Sequence, residues 1–152
     1  MSEERTERRL LERFRANYLG FVEAFNRHDF EAAVAGMPPD FVFDISGVGL
    51  YERAAGMIRG SSGAVMHSRE ELIAFYRDWF EAFPDWHLDV EDFAEPTPGV
   101  ILVTHMVGGS GRVSGVPTAR RITEVWDMRS RPIRISQHQD EAEALEAAGL
   151  SE

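Results

Sequence analysis

Leu11, Phe14, Tyr18, Phe21, Val22 and Phe25 recur at helical spacing, with Glu, Arg and Asn between them. That period predicts an amphipathic helix from about Glu4 to Arg27. His28-Asp29 interrupts it, and Asp29 is placed to cap a short helix over Phe30–Gly36. Met37-Pro38-Pro39-Asp40 reads as a turn and Phe41–Ser46 as a strand. Ser68 followed by Glu71 forms a capping box. Behind it Leu72, Phe75, Tyr76, Trp79, Phe80 and Phe83 make the buried stripe of a second long helix, which Pro84 ends. The pattern then changes to period two. Strands are predicted at Trp86–Phe93, Val100–Val107, Arg112–Val116, Arg120–Met128 and Ile133–Asp140. Glu95–Gly99 and Arg129–Pro132 are turns between them, and Gly108–Gly111 marks a bulge or wide bend. A short helix over Ala142–Ala148 stops at Gly149. Val100–Val107 is apolar on both faces, which requires cover on both sides.

Residues 47–67 fit neither period. They hold Gly47, Gly49, Gly56, Gly60 and Gly63, and read as a flap or a surface insertion. Helices in the first half and antiparallel strands in the second predict a single α+β domain over residues 1–152. Its helices pack on one face of a curved sheet and leave a pocket between the layers.

One position breaks the strand pattern in a chemically meaningful way. Ile122, Glu124, Trp126 and Met128 share a strand face, and Glu124 is the one polar residue on it. A buried carboxylate costs several kcal/mol unless it is paired, hydrogen-bonded or protonated. Such a site suits a proton donor or shuttle. A Glu at a strand edge reaching water or an Arg is the simpler alternative. Asp44 is a second acid, read more simply from the sequence alone as a cap on the turn into Ser46-Gly47. His105 lies on the Ile101, Val103, Val107 face of its strand, as a core histidine or as an assistant to catalysis. Gln137 shares a face with Ile133 and Ile135 and is a candidate polar lining residue. His138 lies on the opposite face with Arg134 and Ser136.

Composition narrows the chemistry. The formal charge of −10 disfavours nucleic acid and anionic membranes as partners. Without Cys there are no disulfides, thiolate metal sites or Cys nucleophiles. Without Lys there is no lysine Schiff base. The five His show no metal-ligand spacing, and the glycine stretches match neither a dinucleotide nor a phosphate loop. No metal and no cofactor are expected. The charged start and the lack of any apolar run of membrane length point to a cytoplasmic protein.

Phe25–Phe30, Pro39–Asp44, Phe80–Trp86, Gly111–Pro117 and Arg120–Met128 together resemble the SnoaL-like branch of the nuclear-transport-factor-2-like superfamily. The resemblance spans about residues 14–140. It implies a cone-shaped α+β barrel, often dimeric, in a superfamily that includes ketosteroid isomerases, polyketide cyclases, dehydratases and noncatalytic binding domains. Asp44 matches the proton-shuttling carboxylate of the isomerases. Glu124 matches their oxyanion-donating acid and also the acid/base Asp of the cyclases. The isomerase tyrosine falls at Phe21, with Tyr18 one turn earlier on the same face. Ile122 stands where small epoxide hydrolases need an Arg, which argues against that activity.

The resemblance thus implies a cofactor-independent isomerase, cyclase or dehydratase acting on a hydrophobic, carbonyl-bearing molecule. Asp44 would be the base, Glu124 the enolate stabiliser and His105 an assistant. Tyr18, Phe21, Tyr76, Trp79, Trp126 and Gln137 would line the ligand site, though the aromatic residues are also simply explained as core. A noncatalytic binding module and a dimeric interaction domain are the alternatives. A homodimer is expected from the doubly apolar strand and the family's habit of pairing sheet faces.

Overall fold

A computed structural model describes residues 2–48, 65–110 and 118–150, with side chains in the first helix from residue 9 onward. The elements run α1 (Ser2–Asn26), α2 (Phe30–Val34), β1 (Phe41–Gly47), β2 (Val65–Met66), α3 (Arg69–Ala82), β3 (His87–Thr97), β4 (Val100–Gly109), β5 (Thr118–Asp127), β6 (Ile133–His138) and α4 (Glu141–Ala147). The strands form one curved sheet in the order β2-β1-β6-β5-β4-β3. Only the β1–β6 pair is parallel among these neighbours; the other four are antiparallel. The α+β class and the curved sheet agree with the sequence. The sheet is not closed into a barrel, because β2 and β3 are edges among the described residues.

The local signals act as their chemistry requires. The Asp29 carboxylate accepts from the Ala32 amide and starts α2. Ser68 Oγ accepts from the Glu71 amide, and Glu71 reaches back to the His67 amide at 2.8 Å. This is a capping box closed one residue early. The α3 stripe Leu72, Phe75, Tyr76, Trp79 and Phe80 is buried against the inner sheet face. Asn26 ends α1 by pairing both backbone groups of Leu88, at 2.9 Å each. That clamp fixes α1 across the concave side of the sheet.

Several predicted boundaries move. β3 runs on through Glu95-Pro96-Thr97, where a turn was expected. Proline is tolerated because β3 is an edge strand with a register shift between Ala94 and Thr97. The turn shrinks to Pro98-Gly99, with Gly99 at a φ of 88°. Gly108 and Gly109 continue β4 instead of bending it. A Cβ on Gly109 would stand 2.9 Å from the Trp86 ring, so glycine serves close packing there. The two-residue strand β2 pairs with β1 at the end of the expected flap. Residues 49–64 of that flap, and the strand expected at Arg112–Val116, lie outside the described residues.

β4 is covered on both sides, as its composition demands. Ile101 and Val103 pack under Tyr18 of α1. Val100 and Leu102 pack with Val125 under Ala144 and Ala148 at the C-terminal helix. Much of the apolar surface that suggested a second copy of the chain is therefore covered by α4. Among the described residues no helix is long and apolar enough to cross a membrane.

Candidate functional site

A cavity of about 210 Å³ lies between α1, the turn after α2, α3 and the inner face of β5 and β6. Helical spacing brings Phe14, Tyr18 and Phe21 of α1 onto its wall. Tyr76, Phe43 and Trp126 add three more aromatic rings from α3, β1 and β5. Met37 and Pro38 come from the turn after α2, and Met128 and Ile133 from the β5–β6 hairpin. Asn17, exposed on α1, lies at the rim. Among the described lining residues Glu124 is the one charged side chain.

Three elements fix Glu124. β5 alternation points it inward between Ile122 and Trp126, and it is 3% exposed. Trp126, two residues along the same face, donates its indole N–H to Oε1 at 2.6 Å. Gln137, directly opposite on β6, donates from Nε2 to Oε2 at 2.7 Å. Tyr18 reaches from α1 and donates its hydroxyl to Oε1 at 3.1 Å. All three partners act as donors at these atoms, an arrangement that suits the acceptor capacity of a carboxylate. Among the described residues Glu124 forms no ion pair, which sets aside the Arg-paired edge alternative.

His105, fully buried on β4, stands behind Tyr18 with Nδ1 3.4 Å from its hydroxyl. Burial pushes its pKa down, and the Glu124 and Glu91 carboxylates pull the other way. With the Tyr18 hydrogen on Glu124, His105 meets the hydroxyl as the Nδ1–H tautomer. Nε2 then has no partner among the described residues.

The structure gathers Tyr18, Phe21, Tyr76, Trp126 and Glu124 on the cavity wall, with Gln137 and His105 one contact behind. It does not bring Trp79 there. That ring packs in the core between Phe75, Phe83 and Trp86, at centroid distances of 6.0, 4.6 and 5.0 Å. Nor does it bring Asp44. Phe41, Phe43 and Ile45 of β1 are buried inward, so Asp44 faces the other side of the sheet. There it pairs with Arg134 at 3.0 Å and accepts from the Ser46 amide and hydroxyl at 2.9 and 2.6 Å. A base at Asp44 facing Glu124 is thereby corrected, and the turn-capping alternative describes its contacts. The alternation of Phe41-Val42-Phe43-Asp44-Ile45 already carried that signal. Phe14, Met37 and Met128 were not predicted as lining. Phe14 was legible from its place one turn before Tyr18. The two methionines required knowing how the turn and the hairpin meet.

Among the described residues no group of three or more His, Asp or Glu could hold a metal ion.

The model of the SnoaL-like domain family matches residues 18–138. No curated protein matches the chain. Solved structures share its architecture. An NTF2-like protein of unknown function from Burkholderia pseudomallei is 23% identical with a TM-score of 0.62, over 86% of this chain and 93% of that one. TerC, co-crystallised with polyporic acid, is 17% identical with a TM-score of 0.62, over 86% and 94%. A hypothetical protein with a ketosteroid isomerase-like fold from Catenulispora acidiphila, in complex with trimethylamine, is 13% identical with a TM-score of 0.62, over 88% and 92%. At these identities the likeness is one of fold.

Proposed function

The chain belongs to the SnoaL-like domain family, and we propose that it uses Glu124 as the base for proton transfer on a small, hydrophobic, carbonyl-bearing molecule. The observation that carries this reading is a buried carboxylate on the wall of a mostly apolar cavity, held by neutral donors and by no cation among the described residues. A purely structural acid is normally paired with a cation or left in water. An acid held on the wall of a pocket by neutral donors is placed for acid/base chemistry on a bound molecule.

The step is simple. Glu124 takes a proton from carbon next to the carbonyl. That C–H bond breaks, an O–H bond forms on Glu124, and the electron pair moves to the carbonyl oxygen as an enolate. Protonation removes the charge that Tyr18 and Trp126 were serving. The Tyr18 hydroxyl can then rotate its hydrogen to the enolate oxygen, as oxyanion donors do, while the ring-fixed Trp126 N–H stays on Glu124. Returning the proton to another carbon gives an isomerase. Attack of the enolate carbon on a second carbonyl of the molecule, whose oxygen takes the proton from Glu124, gives a cyclase; departure of a β-hydroxyl as water with that same proton gives a dehydratase. Apolar walls exclude water from the intermediate.

Deuterium incorporation next to the carbonyl of a panel of cyclic ketones, followed by NMR in D₂O, tests this. Wild type should accelerate exchange for at least one member and Glu124→Gln should not. Equal exchange by the two proteins would overturn the proposal. A binding module without turnover is the second reading, favoured by the position of Asp44, which leaves one carboxylate in the cavity instead of two.

A further inference from the structure

We infer that the cavity selects a small ligand carrying a positive charge, a quaternary or protonated amine with apolar substituents. The inference rests on reading this cavity as the ligand site, and deepens that reading by naming the class of molecule.

The charge balance of the site carries the argument. Glu124 brings one negative charge into a wall of aromatic and aliphatic groups. Its three partners are neutral. Hydrogen bonds stabilise the carboxylate but leave the net charge of the described lining at −1. No Arg or His belongs to the described lining. Arg69 is not part of the described lining and donates to the Met37 carbonyl. Arg15 is spent over the Phe93 ring, 5.7 Å from its centroid, outside the cavity. His105 is buried behind Tyr18, and burial favours its neutral form. The chain as a whole carries a formal charge of −10, which steers cations toward it.

Proton transfer does not relieve the imbalance. When Glu124 takes a proton, its charge passes to the enolate, and the site still holds −1. A neutral ligand leaves that charge in an apolar cavity before and after the step. A cationic ligand brings the total to zero in both states.

The walls suit the same class. Among the described residues six aromatic side chains line the space: Phe14, Tyr18, Phe21, Phe43, Tyr76 and Trp126. Aromatic faces attract ammonium groups, more strongly where water is excluded. The volume of about 210 Å³ lies below that of ordinary drug-sized sites and fits a compact ion.

Choline and 3,3-dimethylbutan-1-ol test this directly. They have the same shape and differ by a quaternary nitrogen in place of carbon. Titration of the whole chain, followed by calorimetry and by the Trp126 indole N–H resonance, should show choline binding about tenfold tighter or better. Glu124→Gln, checked for folding by its thermal melt, should bring the two affinities together. The wild-type ratio stands as a test even where the variant fails to fold. Equal affinities in wild type, or a preference for the alcohol, overturn the inference and leave the proton-transfer proposal standing. A choline preference that survives in folded Glu124→Gln also overturns it, because the attraction then does not come from Glu124. Binding of neither probe at millimolar concentration overturns it together with the ligand-site reading on which it rests.

Discussion

Glu124 and Asp44 are both carboxylates in the middle of strands, and both were candidates for the same chemistry. The sheet separates them. Glu124 faces the concave side, 3% exposed, among an indole, a phenol and an amide. Asp44 faces the convex side, with its side chain 18% exposed and a guanidinium 3.0 Å away. One carboxylate is held in place by hydrogen bonds that leave its charge available to a ligand. The other has its charge cancelled and its oxygens spent on a turn. The kind of partner, and not burial alone, distinguishes a candidate reactive group from a structural one. Partner type in turn follows from which sheet face the strand alternation selects.

The largest expected effect is on turnover. If the contrast holds, Glu124→Gln should slow ketone exchange or any discovered reaction by about 10²-fold or more, the usual contribution of a positioned general base. Asp44→Asn should leave it within about twofold. A loss of activity in Asp44→Asn equal to that in Glu124→Gln would erase the distinction between the two faces. Stability should separate them next. Glu124→Leu removes the acceptor for Trp126 Nε1, Gln137 Nε2 and Tyr18 Oη. Stranded buried donors cost about 1–3 kcal/mol each, and partial rescue by water in the cavity brings the expected net loss to about 2–4 kcal/mol. Asp44→Leu breaks a partly exposed pair and a turn contact, worth about 1 kcal/mol. Urea melts that rank the two the other way would show that Asp44 is the more deeply integrated group.

Most of the architecture was legible because it rests on period and capping. The apolar stripe of α3, the Ser68–Glu71 box, the Asp29 cap and the inward row of Ile122, Glu124 and Trp126 all follow from spacing alone. Part of the site was legible for the same reason: Tyr18 and Phe21 share a helix face, and Gln137 shares a strand face with Ile133 and Ile135. What spacing cannot supply is the register between distant segments. Nothing local says that β6 places Gln137 opposite Glu124, or that α1 crosses the sheet so that Tyr18 lands between Glu124 and His105. Trp79 shows the same limit. Its stripe position establishes burial, but only the packing of Phe83 and Trp86 decides that it fills the core instead of facing the cavity. Asp44 was misplaced for a different reason. The match of position to the isomerases' acid points inward, whereas the alternation of Phe41, Phe43 and Ile45 turns Asp44 outward.

The smallest expected effect concerns His105, which ties the concave site to the stability of the whole fold. Its folded pKa lies below the ordinary histidine value of 6.5, chiefly through burial, with Glu124 and Glu91 opposing. Tyr18 from α1 is its neutral neighbour, and Arg121 already pairs with Glu91. The unfolded chain therefore binds a proton at a pH where the folded protein does not. When the unfolded state holds more protons, stability rises with pH. The contribution is intact above about pH 6.5 and is lost as pH falls below it. His138, half-buried near Glu143, Asp44, Arg134 and Asp140, has its pKa lowered mainly by desolvation and adds a change of the same sign. Melts of wild type between pH 7.5 and 5 should thus show a progressive decline. His105→Leu should decline less over the same range, keeping the part due to His138. Its hydrophobic replacement also removes the unpartnered Nε2, so its stability at pH 7.5 should stay close to that of wild type. Parallel pH profiles in the two proteins would mean that His105 titrates alike in both states. The concave site would then be more open to water, and Glu124 less isolated from solvent, than its 3% exposure requires.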